Sequence, residues 1–105
     1  MVLLIDTLPT VAAELQCLLT QVGRTELVSQ VPRLKTVDCC RCGDDFCASF
    51  YTQPKPIESY GPNLECIELK PAEGMLVLDV VAGVIAHVEV LYNDRVREQL
   101  ISVFP

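Results

Sequence analysis

Four of the six cysteines, Cys39, Cys40, Cys42 and Cys47, crowd into the short segment from Asp38 to Tyr51. Thiolates ligate soft metal ions and exchange disulfides, so their relative placement decides which chemistry is open to them. Gly43-Asp44-Asp45 is turn chemistry: Gly tolerates positive φ, and Asp bonds its own backbone two residues on. The flanks, Lys35 to Cys42 and Phe46 to Thr52, are rich in β-formers, so the segment reads as a tight β-hairpin. With Asp44-Asp45 as a two-residue loop, Gly43 pairs with Phe46, Cys42 with Cys47, Cys40 with Ser49 and Cys39 with Phe50. Alternation then puts Val37, Cys39, Phe46, Ala48 and Phe50 on an apolar side that faces the core. Asp38, Cys40, Cys42, Cys47, Ser49 and Tyr51 take the other side. Three thiols thus share one face, with the Cβ atoms of Cys42 and Cys47 roughly 4.5–5.5 Å apart. A three-residue loop would change the pairing and scatter them.

Three uses of these thiols compete. In the first, Cys39-x-x-Cys42-Gly43 is half of a zinc or rubredoxin knuckle, in which the glycine lets backbone N–H groups approach the sulfurs. Zinc takes four ligands, and structural sites draw on two such pairs. No second C-x-x-C exists here, so a zinc shell would be assembled from Cys40, Cys42, Cys47, Cys66 and His87. In the second, Cys42 and Cys47 form a reversible cross-strand disulfide. In the third, the thiols are small reduced side chains packed in a sheet, because free Cys is among the most buried residue types. The expected cofactor is accordingly none, or zinc.

His87 is the only histidine, so any imidazole base or ligand must be this residue. A Cys–His nucleophilic pair would need Cys47 or Cys66 beside it in space. The spacing does not supply one, and no glycine loop of the oxyanion type is present. No catalytic residue is therefore expected. His87 and Glu89 fall on one strand face, with Asp79 on the other.

The 105 residues make a single domain, 1–105, and half of them are apolar, enough for an ordinary core. The formal net charge of −6 argues against nucleic acid and anionic membrane surfaces, which require Lys and Arg to neutralise phosphates. The apolar start, Met1 to Ile5, lacks a positive n-region and meets Asp6, so no signal peptide is expected there. Because the composition can build a core without staples, and Cys17 sits alone in a helical pattern, a reduced cytoplasmic protein is expected.

The elements that must position the thiols are legible in outline. Leu8, Val11, Leu15, Leu18, Leu19 and Val22 form one helical stripe over residues 8–22, with Pro9 in the first turn and Gly23 as the stop. A short helix from Glu26 to Val31 follows, capped by Thr25 and ended by Pro32. Gln53 to Asn63 is a loop holding three prolines, with Tyr60-Gly61-Pro62 as an exposed aromatic candidate for binding. Leu64 to Leu69 is a strand. Met75 to Val81 and Val84 to Tyr92 flank a tight turn at Ala82-Gly83, and both faces of this hairpin read as apolar. A doubly apolar hairpin needs two covers, which suggests a homodimer through the sheet face. A helix from Arg95 to about Val103, capped by Asn93 or Asp94, closes the chain.

Cys40-Arg41-Cys42-Gly43-Asp44-Asp45-Phe46-Cys47 and the hairpin from Gly74 to Tyr92 loosely resemble segments of small uncharacterised bacterial proteins. The resemblance implies a bacterial, cytoplasmic origin and carries over no activity. The reading is an α+β domain: two N-terminal helices, an antiparallel meander of four to five strands, and a C-terminal helix. A non-enzymatic protein-interaction module leads, with a zinc-binding domain and a thiol-redox protein as alternatives.

Overall fold

The computed structural model describes residues 2–40, 42–56 and 60–104. Arg41, within the expected cysteine hairpin, and residues 57–59, within the proline-bearing loop, lie outside them, as do Met1 and Pro105. The elements run β1 (Val2–Leu3), α1 (Leu4–Thr7), α2 (Pro9–Gln21), α3 (Thr25–Val28), a 3-10 turn (Val31–Arg33), β2 (Lys35–Thr36), β3 (Asp38–Cys39), β4 (Phe50–Tyr51), β5 (Leu64–Leu69), β6 (Met75–Val81), β7 (Val84–Leu91) and α4 (Asp94–Val103). This is the expected α+β class.

The helical stripe forms α2, whose Val11, Leu15 and Leu19 are buried against the sheet side of the molecule, while Leu18 is only partly covered. Pro9 stands in its first turn, where a missing N–H costs nothing. The helix expected over 26–31 is shorter, and Pro32 lies inside the 3-10 turn that follows it. Thr25 begins α3, with Arg24 at the capping position and no side-chain cap. Asn93 caps α4 as expected, its Oδ1 accepting from the Val96 amide at 3.2 Å. The N-terminal residues, read only as not being a signal, make β1 and pair with β2.

The main sheet has five antiparallel strands in the order β3-β4-β7-β6-β5. β5, β6 and β7 form the meander, and the β3–β4 pair adds to the other edge of β7, so the proline-bearing loop crosses to the far edge. Register corrects the expectation that both faces of the β6–β7 hairpin are apolar. Val80 pairs with Ile85, but Asp79 pairs with His87, leaving Ala86 as an extra residue at a bulge. A one-residue slip moves every later side chain to the opposite face. Val88 and Val90 therefore join Leu76, Leu78 and Val80 in the core, all of them buried. His87, Glu89 and Leu91 join Asp79, Val77 and Met75 on the outer face. One face is buried under the helices; the other sets Asp79, His87 and Glu89 among Met75, Val77 and Leu91 and is partly open.

The cysteine segment is held from its core side. Phe50 and Ala48 are fully buried, and Phe50 pairs with Val88 across β4–β7. Truncating a buried Phe to Ala costs about 3–5 kcal/mol, a large share of a typical ~5–15 kcal/mol total. The same strand that anchors the core thus presents its alternate residues outward. Among the described residues, no helix is long and apolar enough to cross a membrane.

Candidate metal centre

The chain reverses one residue later than the sequence suggests. Cys47 N–H donates to the Asp44 carbonyl at 3.2 Å, closing a turn centred on Asp45 and Phe46. A two-residue loop at Asp44-Asp45 matched to strand twist would need positive φ at Asp44 or at both residues, which is costly for residues with a Cβ. Gly43 takes the positive φ instead, at +83°, and neither Asp adopts it. From Phe46 onward the backbone is claimed by β7: Tyr92 N–H donates to the Phe46 carbonyl and Ala48 N–H to the Val90 carbonyl, each at 2.8 Å. Phe46 consequently leaves the expected core side and stacks on Tyr92 at 5.0 Å between ring centroids. Cys42 and Cys47 are not paired across a ladder; Cys47 bridges Leu91.

The sulfurs still converge. Cys39 pairs with Phe50 and Asp38 with Tyr51, and Cys40 N–H donates to the Ser49 carbonyl at 2.8 Å, as the alternation requires. The Sγ atoms of Cys40, Cys42 and Cys47 lie within 4.8 Å of one another. Cys42 is exposed, while Cys40 and Cys47 are half-buried. Thiolate–zinc bonds are about 2.3 Å long, so a small contraction brings three sulfurs onto one ion. These three side chains are able to hold a metal ion. Cys39 is not one of them: it is buried in the core, so the Cys39-x-x-Cys42 knuckle is not formed and Cys40-x-Cys42 takes its place.

The three thiols differ electrostatically. Burial pushes the Cys40 thiol up to about 11; a hydrogen bond from the Cys42 backbone opposes the rise, and the Cys42 and Cys47 side chains add to it. Burial also pushes the Cys47 thiol up, but hydrogen bonds with Ser49 and with the Cys42 and Cys40 side chains outweigh it and leave Cys47 below the ordinary cysteine value. The Ser49 hydroxyl lies 3.4 Å from Cys47 Sγ and accepts from the Val90 amide at 3.0 Å. Ser49, expected on the thiol side of the ribbon, is buried at 2% exposure. A cleft of about 290 Å³ separates the cysteine loop from α4, where Arg97, Leu100 and Phe104 form the facing wall.

Cys66 and His87, the other expected ligands, lie outside the 4.8 Å cluster, although His87 and Glu89 line one depression with Cys40, Cys42 and Cys47. Asp79 takes both: its Oδ1 accepts from Cys66 Sγ and its Oδ2 meets His87 Nδ1, each at 3.2 Å. Asp79 was expected on the opposite face from His87, and the bulge is what brings the two together. Tyr51 packs on the His87 ring at 4.6 Å, in the row between the imidazole and the thiols. Burial lowers the His87 pKa, and the neighbouring Asp79 and Glu89 carboxylates only partly restore it. Hydrogen bonding to the Asp79 carboxylate raises the Cys66 thiol, the reverse of what activates a nucleophile. Tyr60, expected as an exposed aromatic, is half-buried beside Pro54, Pro56 and Val81.

Comparison with protein-family models, with curated proteins and with solved structures gave no match.

Proposed function

We propose that the protein is a small metal-binding domain that holds one thiophilic ion, zinc included, through the thiolates of Cys40, Cys42 and Cys47. The observation that carries this reading is the convergence of the three sulfurs within 4.8 Å. A thiol serving as apolar filler sits in the core, as Cys39 does. Three sulfurs gathered this closely repel one another once ionised, and a cation between them relieves that repulsion. Because each ligand binds as thiolate, loading releases protons and requires reduced sulfur, which suits the cytoplasm. Native mass spectrometry of the reduced chain with one equivalent of zinc tests the reading. A mass gain of one ion, removed by a chelator and missing in Cys40→Ser, Cys42→Ser and Cys47→Ser, supports it; a metal-free spectrum counts against it.

A second reading is favoured by the contrast within the trio. Cys47 is held below the ordinary thiol value beside the exposed Cys42, the arrangement of an attacking thiolate and an accessible partner. In exchange with an external disulfide, the Cys47 thiolate would attack one sulfur and displace the other as thiolate. Cys42 would then displace the sulfur bound to Cys47, so the external disulfide leaves reduced as two thiols and Cys42–Cys47 is left oxidised. Thiol counting before and after mild reductant, showing two thiols recovered, would support this use. An interaction role is compatible with either, since an exposed loop that carries an ion is also a surface a partner can read.

A further inference from the structure

We infer that the three-sulfur site is matched to a three-coordinate copper(I) ion in preference to zinc, an inference that rests on the metal-binding reading above. The converging donors are the Sγ atoms of Cys40, Cys42 and Cys47, and no described carboxylate or imidazole joins them within 4.8 Å. Zinc in protein sites is four-coordinate, so here its fourth ligand must come from water or from another molecule. Copper(I) is softer, favours thiolates, and is satisfied by three sulfurs in a plane.

His87, the donor that would suit zinc, lines one depression with the three thiols but stands outside their 4.8 Å cluster, with Nδ1 on Asp79 at 3.2 Å and its ring against Tyr51. Asp44 belongs to the loop and is exposed, but a hard carboxylate oxygen adds little to a soft monovalent ion. Three thiolates leave two negative charges around copper(I) and one around zinc, and Arg97 on α4 lines the same cleft in either case, so the preference rests on coordination number and softness. The exposure of Cys42 opens a route for the ion to enter and leave by ligand exchange without disturbing the core.

The test uses the full chain, reduced and kept anaerobic, titrated with copper(I) from a coloured copper(I) chelate and separately with zinc. The expected result is one copper(I) per chain, an X-ray absorption shell of three sulfurs, and release of bound zinc on addition of one equivalent of copper(I). Cys40→Ser, Cys42→Ser and Cys47→Ser should lose copper(I) while circular dichroism reports an unchanged fold; Cys17→Ser, Cys66→Ser and His87→Ala should bind it normally. Zinc retained against copper(I), or a copper shell containing nitrogen that disappears in His87→Ala, overturns the copper(I) assignment and leaves the metal reading standing. If the reduced chain takes up neither ion, both readings fall together.

Discussion

Cys47 and Ser49 share a hydrogen bond of 3.4 Å, and the Ser49 hydroxyl also accepts from the Val90 amide at 3.0 Å. One buried hydroxyl thus couples the thiol cluster to the backbone of the central strand. Ser49→Ala removes both partners at once. The Val90 amide is left without that acceptor, which should cost about 1–3 kcal/mol in urea unfolding. The Cys47 thiol should also rise toward its ordinary value, so its alkylation near neutral pH should slow. An unchanged alkylation rate for Cys47 would show that Ser49 does not tune the sulfur.

Cys39 offers a test of which cysteine pair matters. It sits in the core at 9% exposure, beside the cluster in sequence but on the other side of the strand. Cys39→Ser places a hydroxyl in that core and should destabilise the fold by about 1–3 kcal/mol. Metal stoichiometry by mass spectrometry should be unaltered. Loss of the ion in Cys39→Ser, with the fold intact, would restore the knuckle arrangement that the geometry replaces.

His87 sets a pH dependence of stability. Burial holds its folded pKa below the unfolded value of about 6.5, against the partial opposition of Asp79 and Glu89. As pH falls through that unfolded value, the unfolded chain takes up a proton that the folded chain resists. Unfolding free energy therefore rises with pH in this window and levels off above it. Urea denaturation between pH 5 and pH 8 should show the slope in the native sequence and a shallower one in His87→Gln. Equal slopes would assign the effect to other groups.

The fold was largely legible in the sequence, and the failures have identifiable causes. Periodicity places α2, α4, β5, β6 and β7 because each has enough residues for a 3.6 or a 2.0 repeat to accumulate. β1 and β2 have two residues each, too few for any repeat. The bulge at Ala86 leaves no mark in composition, yet it reverses the facing of His87 and Glu89 and so creates the contact with Asp79. The thiol cluster was legible for a robust reason. Cys40 and Cys42 are two apart, and the pairing of Cys39 with Phe50 fixes which side they face, whatever the turn does. Cys47 joins them although the turn is displaced, because its own position is set by β7 and not by the hairpin loop. Ser49 was missed as a participant, since alternation assigns a face but not the cover that the thiols themselves supply.

The two turns flanking β6 should respond oppositely to single substitutions. Ala82 and Gly83 lie at φ 50° and 82°, the pair of positive values a two-residue hairpin requires. Alanine is a poor occupant there, because its Cβ crowds the following carbonyl in left-handed backbone. Asparagine tolerates that region better, so Ala82→Asn should raise stability by roughly 0.5–1 kcal/mol, read as a higher urea midpoint with an unchanged slope. Gly74 at the opposite end has φ 72°, and a Cβ added to it would stand 2.2 Å from the Leu91 carbonyl oxygen and 2.8 Å from that of Tyr92. Both are backbone atoms with no rotamer to yield, so Gly74→Ala must push β6 away from the end of β7. The loss should exceed the ~1–3 kcal/mol of conformational strain alone. Leu91 is also the bridge partner of Cys47, so the displacement reaches the site. Gly74→Ala should therefore weaken metal retention as well as lower the urea midpoint, whereas Ala82→Asn should leave retention unchanged.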